Sequence, residues 1–132
     1  MKKNIFILCL VLFSVQAYCQ KNNVANLLIP EPVSVTTGNG NFILNEKISI
    51  HVGSGDASIR WVAQFLSKKI TGATGFQALV VNGISKVSSN NINFLLIKDA
   101  SIGDEGYKLD VTTRGITISA NKPAGLFYGV QS

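Results

Sequence analysis

The sequence predicts an α+β domain in which a mostly antiparallel sheet carries a helix on one face. Residues 59–70 have helical spacing of apolar side chains, and several short stretches alternate with the period of strands. Residues 107–120 read as a hairpin with a tight turn. One strong helix among several strands does not fit a regular alternation of strands and helices, so the α+β class is favoured.

The composition fits a folded domain, since 46% of residues are hydrophobic and 14% are charged. The formal net charge is +5, but Lys2 and Lys3 belong to a segment that we expect to be removed. Ten Lys and Arg then face seven Asp and Glu, with no basic run. A nucleic-acid partner is therefore not expected.

Residues 1–19 are typical of a secretory signal peptide. A positive start precedes an apolar run over 5–15, which is too short to span a bilayer. The small residues Ala17 and Cys19 fit cleavage after Cys19, with a loose polar tail over 20–27. A buried N-terminal helix is the alternative, but the segment has no polar face. We expect an exported protein, periplasmic or secreted, with no membrane span.

Cys19 raises the alternative of a bacterial lipid anchor. Such a site needs a small residue before the cysteine, and Tyr18 is large, so lipid attachment is less favoured. Cleavage after Cys19 would also remove Cys9. The mature domain would then have no thiol, disulfide or cysteine metal ligand.

The domain itself is expected over 28–122. Pro30 and Pro32 limit the first apolar stretch to an entry strand at a sheet edge. Residues 33–36 and 42–44 alternate on either side of a Gly- and Asn-rich turn. They predict a first hairpin.

Residues 48–52 alternate strictly and predict a strand, after which the period changes to that of a helix. Asp56 or Ser58 is the expected N-cap, and Gly72 the expected stop. The apolar stripe of the helix, with two aromatic residues on its flank, is formed by Ile59, Val62, Ala63, Leu66, Ile70, Trp61 and Phe65.

Further strands are expected over 76–81, buried on both faces, and over 92–97, at the centre of the sheet. The hairpin follows, with its turn at 113–115. Pro123 then suits the first position of a helix. This helix of about nine residues is short for its own stability, and we expect residues 123–132 to be frayed or poorly docked.

The candidate chemical residues are few, and we predict no catalytic, cofactor-binding or metal-binding residue. His51, the one histidine, is expected on the polar face of a strand. Asp104 and Glu105 form the one adjacent acidic pair, which reads as a solvated turn rather than a general acid with its partner. Ser49, Ser54 and Ser58 lack a base that could activate a nucleophile, and Arg114 is expected to be solvated at a hairpin tip. The glycine patterns at 53–55 and 72–75 do not continue as a nucleotide-binding loop. The aromatic residues Tyr107, Phe127 and Tyr128 could stack on sugars but suit a core.

Two stretches carry a family resemblance. IPEPVSVTTGNGNFILNEKISI (29–50) resembles the entry of bacterial β-N-acetylhexosaminidases of glycoside hydrolase family 20. GDEGYKLDVTTRGITISANKPAGLFYGVQS (103–132) is the stronger match, because its Glu-Gly-Tyr strand, Gly-Ile return and Ala-Gly-Leu-Phe-Tyr-Gly-x-Gln ending follow the family's order. The likeness covers about residues 28–132.

The resemblance implies the N-terminal α+β domain of such an enzyme, with residues 123–132 as the start of the helix that leads into a (β/α)8 barrel. The barrel would carry the catalytic residues, so this chain is expected to lack them and to be inactive alone. Its implied partners are its own barrel and the glycan substrate of the parent glycosidase, with no cofactor. A stand-alone secreted module that binds glycan or protein, and a lipid-anchored surface domain, are the alternatives.

Overall fold

The computed structural model describes residue 28, residues 31–85 and residues 89–132. The predicted signal peptide and loose tail lie outside the described residues. The chain divides into two compact units, residues 1–35 and residues 36–132. All described helices and strands lie in the second unit. No described helix is long and apolar enough to cross a membrane.

The described residues of the second unit form five strands and two helices, which confirms the α+β class. The strands are β1 (Ser49–Val52), β2 (Leu79–Asn82), β3 (Asn91–Leu96), β4 (Tyr107–Val111) and β5 (Gly115–Ala120), in the sheet order β2-β1-β3-β5-β4. The helices are α1 (Ala57–Thr74) and α2 (Pro123–Gln131), with a 3-10 turn at Ala100–Ile102. Helix α1 packs over β1 and β2, and α2 packs over β5 and β4.

The expectation of a mostly antiparallel sheet is wrong. β1 pairs in parallel with both β2 and β3, and β3 pairs in parallel with β5. Among the described strands, only β4 and β5 pair antiparallel. The physical reason is the connection: a strand that returns through a helix re-enters the sheet in the same direction, whereas a tight turn reverses it. β1, α1 and β2 form such a strand–helix–strand unit.

The predicted first hairpin is absent, because residues 33–36 and 42–44 form no strand. The described residues of the predicted entry strand, Leu28, Glu31 and Pro32, form none either. Alternation shows which side chains are apolar, but it does not supply a strand to pair with. Phe42 and Leu44 instead pack half-buried against the core without a ladder.

Helix α1 begins as predicted and ends later. The Asp56 side chain accepts a hydrogen bond from the Ser58 N–H at 2.7 Å, which makes Asp56 the cap. The expected stop at Gly72 is wrong, because the helix continues to Thr74. Gly75 ends it with a φ of 78°, and its N–H donates to the Thr71 carbonyl at 2.8 Å.

The core lies between the sheet and the helices. The predicted helix stripe is confirmed, with Leu66 half-buried at its margin. β3 is central as expected, but β2 is an edge strand, and Leu79 is 66% exposed. The predicted burial of β2 on both faces is therefore wrong. The buried apolar residues are Ile48, Ile50, Val52, Ile59, Val62, Ala63, Ile70, Ala78, Ile92, Phe94, Ile118, Ala120 and Leu126.

Helix α2 begins at Pro123 as predicted, but it is not poorly docked. Leu126 is fully buried, and Gly125 and Gly129 are buried beside it. A Cβ on Gly129 would lie 2.6 Å from the Ile118 side chain, so the missing side chain lets the helix approach the sheet closely. Tertiary contact thus replaces the intrinsic stability that a short helix lacks.

Candidate functional site

The described candidates for chemistry do not come together into one site. His51 is half-buried on β1, and its Nε2 lies 2.9 Å from the Ser49 hydroxyl in a hydrogen bond. Asp104 and Glu105 are exposed in the loop before β4. In the part of the chain that the structure describes, no three His, Cys, Asp or Glu side chains are grouped as a metal would require. That the chain holds no catalytic, cofactor or metal residue stays a prediction.

The other candidates have local structural roles. Ser58 gives its N–H to the α1 cap, and Ser54 is exposed in the loop before that helix. Arg114 lies at the hairpin tip, where its carbonyl accepts the Asn90 N–H at 2.7 Å. Tyr107 is half-buried under α2, and its hydroxyl contacts the Ser132 hydroxyl.

The most distinctive surface is a set of three aromatic rings shared by the two helices, which we call the aromatic face: Trp61, Phe65 and Phe127. Trp61 stacks on Phe65 with ring centroids 5.9 Å apart. Phe127 lies 5.7 Å from Trp61 and 5.4 Å from Phe65, tilted against both. Trp61 remains 57% exposed even so. Large aromatic side chains with this much free surface are typical anchors of interfaces.

The fold places these rings by helical spacing. Trp61 and Phe65 are four residues apart on α1, so they share one side of that helix. Phe127 follows the buried Leu126 and therefore points away from the sheet, toward α1. Tyr128 continues the surface, 6.1 Å from Phe127 and 45% exposed.

The two helices run side by side in the same direction. Their first turns together line a shallow depression of about 600 Å³, with Trp61 and Phe127 as its aromatic walls. Late in α1, Lys69 donates to the Gln131 side chain at the end of α2 over 3.4 Å. The Lys69 ammonium also lies 5.2 Å from the Phe65 ring centroid, in a cation–π contact. The depression is lined by Ala57, Ser58, Trp61, Val62, Pro123, Ala124 and Phe127.

Asp99 organises the loop between β3 and β4. Lys108 donates to its carboxylate at 2.5 Å, and the hydroxyl and N–H of Ser101 donate as well. These donors, Lys108 first, hold the pKa of Asp99 well below its ordinary value. The Asn121 side chain bridges from this loop to the start of α2, through the N–H and carbonyl of Asp99 and the carbonyl of Gly103.

Sequence reasoning missed the aromatic face as a surface. Trp61 and Phe65 were expected only to widen the flank of a buried stripe, and the tight packing of α2 that brings Phe127 to them was not expected. It also missed the polar side of β3, where Asn93 donates to Asn91 at 3.2 Å and both are buried. The available signal was spacing along the chain. Trp61 and Phe65 are four residues apart on a helix, and Asn91 and Asn93 are two residues apart on a strand.

Residues 26–132 match the family model described as glycosyl hydrolase family 20, domain 2. This chain belongs to that family. The match covers most of the chain and the whole of the second unit. It confirms the family resemblance that the two sequence motifs indicated.

Known relatives are much longer than this chain. A curated lacto-N-biosidase from Bifidobacterium bifidum is 29% identical over 104 residues, which are 79% of this chain and 9% of that protein. The N-acetyl-β-hexosaminidase structure from Streptomyces plicatus, in complex with thio-NAglucal, is 33% identical with a TM-score of 0.72. The match covers 83% of this chain and 21% of the Streptomyces plicatus chain.

Two further structures support the same fold. The family 20 β-N-acetylhexosaminidase from Streptomyces coelicolor is 34% identical with a TM-score of 0.68, over 77% of this chain and 19% of that one. The exo-β-N-acetylglucosaminidase from Vibrio harveyi is 20% identical with a TM-score of 0.55, over 77% and 14%. The last likeness shows the fold alone. The domain thus spans about a fifth or less of each relative.

Proposed function

We propose that this domain is the non-catalytic N-terminal domain of an exported β-N-acetylhexosaminidase, carried beside a (β/α)8 barrel. The enzyme would remove terminal N-acetylhexosamine residues from glycans by substrate-assisted hydrolysis. In that reaction the sugar's own acetamido group attacks the anomeric carbon while a glutamic acid of the barrel protonates the leaving oxygen. The family membership and the small share of each hexosaminidase chain that the domain covers support this proposal.

The aromatic face is the observation that carries the proposal. An isolated domain gains nothing from keeping an indole 57% exposed beside two further rings. A domain that packs on a larger partner gains the burial of that surface. We assign the barrel of the same polypeptide as the occupant, because the match covers only 21% and 9% of the chains of two relatives.

Helix α2 contributes to this surface without being unfolded in the domain alone. Its inner residue Leu126 is already buried in the core, and its outer residue Phe127 belongs to the aromatic face. The docked state of α2 therefore carries no argument about whether the chain continues. The docking surface is the outer side of both helices.

A stand-alone secreted module that binds glycan or protein is the second candidate. The exposed indole of Trp61 beside a shallow depression is also what a sugar-stacking site needs. Here the aromatic face would be occupied by a sugar ring rather than by a barrel. The two candidates differ in what occupies one and the same surface.

The proposal is tested by the activity of two proteins. The purified chain should not hydrolyse a chromogenic N-acetylglucosaminide, whereas a longer protein that carries the domain together with its barrel should. Turnover by the short chain that disappears in an Asp104→Asn/Glu105→Gln double variant would contradict it. Saturable binding of chitin fragments to the short chain, lost in Trp61→Ala, would favour the glycan-binding module instead.

A further inference from the structure

Two Asn-Gly steps lie at the surface of the domain. Asn39–Gly40 belongs to the loop before β1, and Asn82–Gly83 lies at the end of β2, and all four residues are exposed. In an Asn-Gly step the next backbone nitrogen can approach the side-chain amide closely, because glycine has no Cβ to hinder it. Exposure alone does not distinguish the two steps, so their hydrogen bonds must.

The Asn82–Gly83 step is held on both sides. The Gly83 N–H donates to the Val52 carbonyl at 2.9 Å, which continues the pairing of β2 with β1. The Asn82 side-chain oxygen accepts a hydrogen bond from the Arg60 guanidinium. Neither the nitrogen nor the amide can move toward the other unless these bonds open.

The Asn39–Gly40 step is held by nothing comparable. Within residues 31–85 and 89–132, neither the Asn39 side chain nor the Gly40 N–H makes a hydrogen bond to the protein. The fold nevertheless requires glycine there. Gly40 has a φ of 91°, and a Cβ would lie 2.6 Å from the Thr113 methyl group. Residues other than glycine would be strained at position 40, so the conformation of the loop retains the Asn-Gly pair.

We propose that Asn39 is a site of spontaneous deamidation through a cyclic imide, and that Asn82 is protected from the same reaction by the fold. The Gly40 nitrogen gives its proton to a solvent base and bonds to the side-chain carbonyl carbon of Asn39. The bond from that carbon to the amide nitrogen breaks, and ammonia leaves. Water then opens the ring at either carbonyl to give aspartate or isoaspartate, without any change of oxidation state.

Each event replaces a neutral amide by a carboxylate, so it lowers the net charge by one. The new acid stands one residue before Gly40, whose backbone lies close to Thr113 in the turn between β4 and β5. The isoaspartyl product lengthens the backbone of a segment whose Phe42 and Leu44 pack on the core. The fraction of Asn39 converted to aspartate and isoaspartate would thus increase with the age of the protein.

The test is a time course of the purified protein in mildly alkaline buffer, followed by peptide mapping with mass spectrometry. Asn39 should convert to the acid and to isoaspartate at least about tenfold faster than Asn82, because reaction at Asn82 must wait for local opening of the β2 edge. In concentrated urea both sites should react at similar rates, since the protecting hydrogen bonds are gone.

An Asn39→Ser variant is the matched control. It replaces an exposed side chain that makes no hydrogen bond to the described part of the chain, so the fold should be unaffected and the loop peptide should no longer change. The proposal is overturned if Asn39 stays intact in the folded protein while it converts in urea. It is equally overturned if Asn82 keeps pace with Asn39 in the folded protein.

Discussion

The indole of Trp61 and the ring of Phe127 lie 5.7 Å apart, and this contact joins the two helices at the surface of the domain. The residue before Phe127 in the chain, Leu126, is fully buried against the sheet. Two neighbouring residues of α2 thus have different roles. Leu126 holds the helix on the domain, and Phe127 belongs to the surface that we assign to a partner.

This separation predicts unequal effects of two truncations in the isolated chain. Leu126→Ala should lower the free energy of unfolding by about 2–5 kcal/mol, because it leaves a cavity at a fully buried position. Trp61→Ala removes stacking at a largely exposed position and should cost only about 0.5–1.5 kcal/mol. Urea unfolding measures both. Equal losses would mean that the aromatic face is part of the core.

The close approach of α2 predicts that glycine is required at position 125. A Cβ there would collide with the Gly106 carbonyl and lie 2.8 Å from the Ala120 side chain. Gly125→Ala should therefore lower the free energy of unfolding by about 1–3 kcal/mol.

Gly72→Ala is the matched control for that change. Gly72 lies within α1, where a Cβ would meet nothing within 4 Å. Alanine should raise the free energy of unfolding by about 0.5–1 kcal/mol there. The same thermal or urea unfolding measurement serves both variants. A stable Gly125→Ala protein would show that α2 docks more loosely than described.

Asp99 predicts a contribution to acid sensitivity. Its pKa is lower in the folded protein than its ordinary value of 3.8, chiefly because Lys108 donates to the carboxylate. The charged form is thus favoured by folding, so this stabilisation is present above pH 3.8 and is lost as the pH falls below it. The effect should be modest and should shrink in high salt, since the pair is exposed to solvent.

Unfolding midpoints in urea across acid pH check this prediction. Asp99→Asn should lose less stability between neutral and strongly acid pH than the unchanged protein does. Asp104→Asn, at an exposed acid in the same loop, controls for the loss of one negative charge. An identical profile for Asp99→Asn would show that the Lys108 contact does not persist in solution.

The N-terminal segment predicts a defined processing product. The mature protein from an exporting host should begin at Gln20 and carry no lipid, because Tyr18 is too large for a residue that precedes a lipidated cysteine. Intact-mass analysis measures this directly. A diacylglyceryl adduct on Cys19 would identify an anchored lipoprotein, and retention of residues 1–19 would exclude export by this route.

Local patterns predicted the elements of the second unit better than their pairing. The spacing from Ile59 to Ile70 marked the buried side of α1, and the turn at 113–115 marked the β4–β5 hairpin. Both are local properties. The expectation of a mostly antiparallel sheet was wrong, because the direction of β2 is set by the helix that connects it to β1. The strand predicted over 42–44 was wrong for a different reason, since pairing requires a partner strand that alternation does not identify.

The aromatic face could be predicted only in part. The i, i+4 spacing of Trp61 and Phe65 placed them on one side of α1, but it could not show that Phe127 would meet them. That contact requires α2 to approach through two glycines, which is a tertiary effect. The family motif at 124–131 includes both glycines, but the sequence does not show that they allow α2 to approach the sheet closely.

The central claim is that a barrel covers the aromatic face. One pair of variants tests it most directly, in a longer protein that carries the domain together with its barrel. Trp61→Glu and Leu79→Glu replace two apolar side chains that are 57% and 66% exposed, one on the aromatic face and one on the β2 edge. In the longer protein, Trp61→Glu should lower the stability by about 2 kcal/mol or more and reduce the thermal midpoint of hexosaminidase activity, because a charge is forced into an interface. Leu79→Glu should leave that midpoint unchanged. Equal midpoints for the two variants, with Trp61→Glu as stable as the unchanged enzyme, would contradict the account.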